Sequence, residues 1–296
     1  MIVLTSIFEE GLIYAILALG VLITYRILDF PDLTVDSSFP LGAAVSAILV
    51  MNGWHPVLAL LMATLAGAAA GLVTGLIHVK CHVRDLLSGI ITMTGLYSLN
   101  LRIAGRANLS LYGESSIFDN ALTQAFPAWL QPYGKLLILV VVVALVKLVM
   151  DWFLRTKAGY LLRATGDNPA LVATLARDSG MVKIEGLVIA NALVSLSGAV
   201  MAQKNRVFDI TMGTGAIVFG LAAVIIGLNL FSRMTFVKAT TSAIIGSIIY
   251  KACVALALSL GLKPQDLKLV TAVLFLLILG LGQAGNKMKA RKRVHA

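Results

Sequence analysis

Few residues in this 296-residue sequence are equipped for chemistry, and most of them sit inside or beside apolar runs. In the stretch 86–105, Thr92, Thr94, Tyr97, Asn100 and Arg102 supply hydroxyls, an amide and a guanidinium. Such groups in an apolar segment either hydrogen-bond a polar solute or tie helices together, and Arg102, near the end of the run, is placed to reach an interface. Asp29, Asp32 and Asp36 surround Pro31 ahead of another run, as expected of a loop that is either a gate element or simply solvated. Asn229 is an isolated amide inside a further run. Lys251 falls near the middle of its run, where an ammonium costs about 2.5–3.5 kcal/mol on insertion scales, so it needs a partner or an aqueous face. His78 and His82 have a spacing zinc can use, but no third ligand accompanies them. Cys81 and Cys253, the two cysteines, fit neither a metal site nor a disulfide framework. Paired carboxylates, a Ser/His/Asp pattern and a nucleotide fingerprint are all missing, which argues against a membrane enzyme. The phosphate loop G-x-x-x-x-G-K-[ST] does not occur either, so any energy input must come from a partner or a gradient.

The elements that position these residues follow from composition. The chain is 59% hydrophobic and 13% charged, with a mean hydropathy of +0.92, whereas soluble domains are about 45–50% apolar and about 25% charged. Apolar runs recur at the length of about 20 residues that a helix needs to cross a hydrocarbon core about 30 Å thick. The expected fold class is therefore all-α: a polytopic membrane protein forming one transmembrane domain over residues 1–296. Windowed reading gives about nine spans, within a range of eight to ten. They fall at 7–25, 38–51, 56–79, 86–105, 135–153, 184–202, 211–230, 238–260 and 267–282. The second is short enough to be re-entrant or broken. The N-terminus has no basic residue before Glu9 and Glu10, so the first run is expected to be retained rather than cleaved as a signal peptide.

The net charge of +10 does not indicate a nucleic-acid partner, because Lys and Arg lie between the apolar runs, as cytoplasmic anchors do. Arg155, Lys157, Arg163, Arg177 and Lys183 crowd the loop 155–183, and a second basic group fills the tail 286–296. Both are expected inside, with Lys80 and Arg84, while the stretch 107–134 and the N-terminus are expected outside. The tail is equally suited to anionic lipid. Gly67, Gly71 and Gly75, one turn beyond Ala63, form a small-residue stripe that permits close helix approach. A possible inverted repeat is carried by Asp32-Leu33-Thr34-Val35 before Gly42, matched by Asp209-Ile210-Thr211-Met212 before Gly220.

The loop 155–183 holds the most informative stretch. Asn168 is suited to cap a helix, Pro169 to its first position, Arg177 to its negative end and Gly180 to its stop. The expected helix has about 10 residues and is about 15 Å long, fit either to dock in a partner's groove or merely to link two spans. Read through Gly159, Arg163, Ala164, Gly166, Asn168, Leu171, Val172 and Ala173, the loop resembles the cytoplasmic coupling loop of bacterial ABC importer permeases of the branched-chain amino acid and simple-sugar type. The stretch from Leu87 through Thr92, Tyr97 and Asn100 to Ile103, followed by Gly105-Arg106-Ala107-Asn108, is similar to a subgroup associated with tryptophan or tyrosine uptake.

This resemblance covers nearly the whole chain and implies a multi-pass permease of the bacterial inner membrane. Its implied partners are a second permease copy, a cytoplasmic ATP-binding subunit that holds ATP and Mg, and an extracytoplasmic substrate-binding protein or lipoprotein; no cofactor is expected in this chain. The residues expected to couple to the ATPase are Arg163, Ala164, Gly166, Asp167, Asn168, Pro169, Ala170, Leu171 and Ala173. Those expected along the substrate path are Thr92, Tyr97, Asn100, Asp32 and Asp36. The competing readings are a gradient-driven transporter, which needs titratable groups inside its spans, and a scaffold or channel-like protein.

Overall fold

The computed structural model describes residues 2–119, 133–168, 178–232, 234 and 237–259, with positions 269, 272, 273 and 276 in isolation. Helices α1 (Ile2–Val21), α2 (Val35–Met51), α3 (Pro56–Lys80) and α4 (Asp85–Ala104) form the first half. Helices α5 (Gly134–Phe153), α6 (Lys157–Asp167), α7 (Ser179–Asn205), α8 (Ala216–Leu230) and α9 (Ala239–Ser259) follow. Six of the described helical segments are long and apolar enough to cross a membrane, and α2 is a shorter apolar helix. Eight of the expected spans coincide with helices; of the ninth, at 267–282, only the four isolated positions are described, and the tail lies outside the described residues. Helix α4 has the length of a span, but its Ser, Thr, Asn and Arg side chains keep it out of those six.

Two helices begin in ways the hydrophobic pattern did not show. Helix α1 continues past Val21 as a π-helical turn over Leu22–Ile27, and the loop after it carries Asp32, which is only 1% exposed. The expected seventh span starts late. A 3₁₀ turn over Ile210–Gly213 comes first, then Gly215 takes a φ of 86°, a left-handed conformation that favours glycine, and α8 starts at Ala216. Asp32 and Asp209 make the same local turn: the amide of Thr34 donates to Asp32 Oδ1 at 2.9 Å and that of Thr211 to Asp209 Oδ1 at 2.6 Å.

The small-residue stripe forms the contact expected of it. Cβ atoms at Gly67 and Gly71 would collide with Ser195 and Leu187 of α7, and one at Gly75 would come within 3.0 Å of Ile184. Ser195 Oγ also donates to the carbonyl of Ala63 at 2.7 Å. Helix α7 is the long central element, 27 residues and about 40 Å from end to end. On the side where α4 and α7 end, Asn108–Ser110 (β1) pairs antiparallel with Val207–Asp209 (β2), and Arg206 forms an ion pair with Asp119.

Candidate functional site

Helices α2 and α8 begin beside one another at a polar junction that is buried around Asp32 and Asn191 and opens outward at Gly215. Asn191, halfway along α7 and fully buried, donates through Nδ2 to Asp32 Oδ2 at 2.7 Å and accepts through Oδ1 from Ser38 Oγ at 2.7 Å. Thr34 and Thr74 share a hydroxyl hydrogen bond of 2.9 Å. In the first turn of α2, the Asp36 carboxylate accepts from the backbone amides of Gly215 at 3.0 Å and Ile217 at 2.9 Å. It thus caps α8 from another helix and places negative charge at the positive end of the α8 dipole. Gly213 touches the Asp36 carbonyl and the Pro40 ring, leaving no room for a Cβ.

Of the residues expected on the path, Asp32, Asp36, Thr92 and Asn100 come together around the start of α2. Thr92, Leu96 and Asn100 form the buried stripe of α4, and Asn100 Nδ2 donates to the carbonyl of Ser37 at 3.0 Å. Tyr97 does not join them: it lies to the side of this stripe, 49% exposed. Thr92 is hydrogen-bonded within its own helix, to Ser88. The loop from Asp29 to Asp36 is not a solvated strap, because Asp32 is fully partnered by Thr34 and Asn191. Sequence reasoning missed Asn191; its signal was an uncharged amide inside a span, of the kind noted at Asn100 and Asn229.

A cavity of about 430 Å³ lies beside this junction, lined by Tyr14, Gly215, Phe219, Tyr250 and Lys251 among others. Lys251 Nζ bonds Glu10 Oε2 at 2.9 Å and sits 4.3 Å from the Tyr14 ring centroid. The expected partner for this mid-span ammonium is therefore found on α1. His78 and His82 do not share a helix face, since α3 ends at Lys80 and His82 takes a φ of 53°. His78 instead contacts the Val83 carbonyl and Lys183.

At the end of the bundle that carries the basic loop, α6 precedes the expected coupling helix. Thr156 caps it by accepting from Gly159 N at 3.4 Å, and Leu162 and Thr165 turn inward while Arg163, Asp167 and Asn168 are exposed. Gly166 packs so closely on the Ile27 carbonyl that a Cβ would overlap it. Arg163, Leu154 and Ala239 are shared by two adjoining cavities of about 330 and 240 Å³. Asp151 fastens the neighbouring elements, accepting from Lys147, Lys238 and Thr240. The stretch 169–177, with Pro169, Ala170, Leu171 and Ala173, lies outside the described residues.

Residues 3–280 match the model of a family described as the permease component of the branched-chain amino acid transport system. The chain belongs to this family. A tyrosine transport system permease protein of Clostridioides difficile (strain R20291) is 42% identical over 96% of this chain and 92% of its own. The uncharacterized protein RP368 of Rickettsia prowazekii (strain Madrid E) is 32% identical over 94% of this chain and 96% of its own. In fold, the chain is similar to PsaBC from Streptococcus pneumoniae in complex with Fab, with a TM-score of 0.52 at 15% identity over 92% of this chain and 89% of that one. The permease is accordingly a multi-pass protein of the bacterial inner membrane and a transport subunit of the ABC type, not an enzyme.

Proposed function

We propose that this permease is the membrane-spanning subunit of an ATP-driven importer that carries an amino acid, an aromatic one, into the cytoplasm. The observation that carries the proposal is the seating of α6 on α1. With Gly166 against the Ile27 carbonyl and Leu162 buried beneath, no flexible side chain cushions that contact. A push on the loop 155–183 therefore reaches α1 and α7 directly, as rigid-body rocking requires. The amino-acid substrate is supported by the 42% identity to a tyrosine transport system permease. The working assembly is two permease copies, a cytoplasmic subunit that binds ATP with Mg, and an extracytoplasmic binding protein that delivers the solute. The matched turns at Asp32 and Asp209 support an inverted repeat, with α2 and α8 as its equivalent helices within nine spans.

Replacing Asn168-Pro169-Ala170 with Gly-Ser-Gly tests the coupling loop. Radiolabelled tyrosine uptake should fall to background while the amount of permease in the membrane is unchanged; uptake at the wild-type rate would overturn the proposal. The gradient-driven reading has one observation in its favour, the buried carboxylate Asp32. Uptake that survives ATP depletion but stops with an uncoupler would favour that reading.

A further inference from the structure

The cavity between α1, α8 and α9 has the makings of a ligand site. Its volume of about 430 Å³ lies within the range of about 300–1,000 Å³ that small-molecule pockets occupy. Three of its features go together. The first is a charge pair reached through the lining: Lys251 lines the cavity, and its Nζ, with the side chain 16% exposed, lies 2.9 Å from Oε2 of Glu10, which is not itself a lining residue. The second is a neighbouring cation, Lys204, whose Nζ is 3.9 Å from Glu10 Oε1 and 3.6 Å from Glu9. The third is an aromatic wall. The Tyr14 and Phe219 ring centroids are 4.1 Å apart, Tyr250 meets Phe219 edge-on at 4.6 Å, and the Lys251 ammonium lies 4.3 and 5.2 Å from the Tyr14 and Phe219 rings.

We infer that this cavity is an amino-acid subsite on the permease itself, taking a zwitterion with an aromatic side chain. The inference rests on the importer reading above and deepens it. The carboxylate of the ligand binds Lys251, its ammonium binds Glu10, and its ring lies against Tyr14, Phe219 and Tyr250. Charge selects the zwitterion. An anion alone would take Lys251 from Glu10 and leave Glu9 and Glu10 sharing the single cation Lys204, whereas a zwitterion inserted between Lys251 and Glu10 gives each an opposite charge and leaves the net charge of the site unchanged. The rings select an aromatic side chain, since offset and edge-on ring pairs add to simple burial. Loading also has a mechanical effect. The Lys251–Glu10 bond joins α9 to α1, and a ligand inserted there replaces that direct tie with a bridge through the solute.

The test uses the full-length permease in lipid nanodiscs and three probes: L-tyrosine, tyramine, which lacks the carboxylate, and 3-(4-hydroxyphenyl)propanoate, which lacks the ammonium. Binding is measured by saturation-transfer NMR competition. Wild-type protein should prefer tyrosine to each analogue by about tenfold, as loss of one charge-assisted contact requires. Lys251→Gln should erase the preference over tyramine, Glu10→Gln should erase the preference over the propanoate, and Lys251→Arg should keep both. If the Lys251–Glu10 pair is only a clip between helices, Lys251→Gln weakens all three probes equally, and that result overturns the inference. Should Lys251→Gln fail to fold, Glu10→Gln and Lys251→Arg read the same selectivity. Uptake by the complete transporter separates this inference from the reading it rests on. Wild-type and Lys251→Gln permeases that import tyrosine at equal rates with the same competition profile overturn the subsite and leave the importer standing. A wild-type transporter that imports no aromatic amino acid, with a purified permease that binds none, overturns both.

Discussion

Replacing Asn191 by alanine removes the link between α7 and the start of α2. In the native bundle Asn191 Nδ2 donates to Asp32 Oδ2 at 2.7 Å and to the Leu187 carbonyl at 3.1 Å, while its Oδ1 accepts from Ser38 at 2.7 Å. The Thr34 amide and Asn191 Nδ2 each donate to an Asp32 oxygen, so both oxygens act as acceptors, as those of a carboxylate do. A hydrogen bond to a charged group contributes about 1.5–3 kcal/mol, and an interhelical bond between neutral groups in a membrane protein averages about 0.6 kcal/mol. Asn191→Ala should therefore destabilise the folded permease by about 2–4 kcal/mol, because Asp32 and Ser38 stay buried without their partner. The exchange Asp32→Asn with Asn191→Asp keeps one amide and one carboxylate at the junction. It should recover more than half of the loss caused by either single change. Equilibrium unfolding by steric trapping in bicelles measures all four proteins of the cycle. An Asn191→Ala protein within about 0.5 kcal/mol of wild type, or a cycle with no coupling, would refute the assignment of this junction as a stabilising network.

Two further outcomes follow from the same contacts. Asp36→Ala should cost about 1–2 kcal/mol in that assay by uncapping α8, whereas Asp36→Asn keeps acceptor capacity and should lose less than half as much. Gly71→Val should sharply reduce the monodisperse permease recovered in mild detergent, because its side chain would overlap α7, while Gly95→Val, with nothing within 4 Å, should leave the yield unchanged in fluorescence-detected size-exclusion chromatography.

Helix existence was legible wherever length and apolarity acted together, and the Gly67, Gly71 and Gly75 stripe correctly announced a close helix partner. Apolarity alone could not say that α8 waits until Ala216, since that start depends on Asp36, which lies 179 residues from Gly215 in sequence. For the same reason Asp32 looked like part of a loop: its partner Asn191 is 159 residues away. Tyr97 and Asn100 looked equivalent in sequence and, three residues apart, are only about 60° apart around the helix, but Tyr97 falls on the exposed side of the buried stripe and only Asn100 meets α2. The acid that answers Lys251 was visible as Glu10, one of two adjacent acids near the N-terminus, but nothing local joined them.

The stripe on α3 grips α7 between Ile184 and Ser195, which makes that grip a fulcrum rather than only a seam. From its centre, α7 extends about 16 Å to Ser179 and about 22 Å to Asn205 at helical rise. A tilt about this pivot carries the two ends in opposite directions, and the end bearing β2 travels roughly 1.4 times as far as the end next to the basic loop. A small displacement at the basic-loop end is thus reversed in sign and enlarged where β1 and β2 join, so that one helix acts between the two ends as a single seesaw.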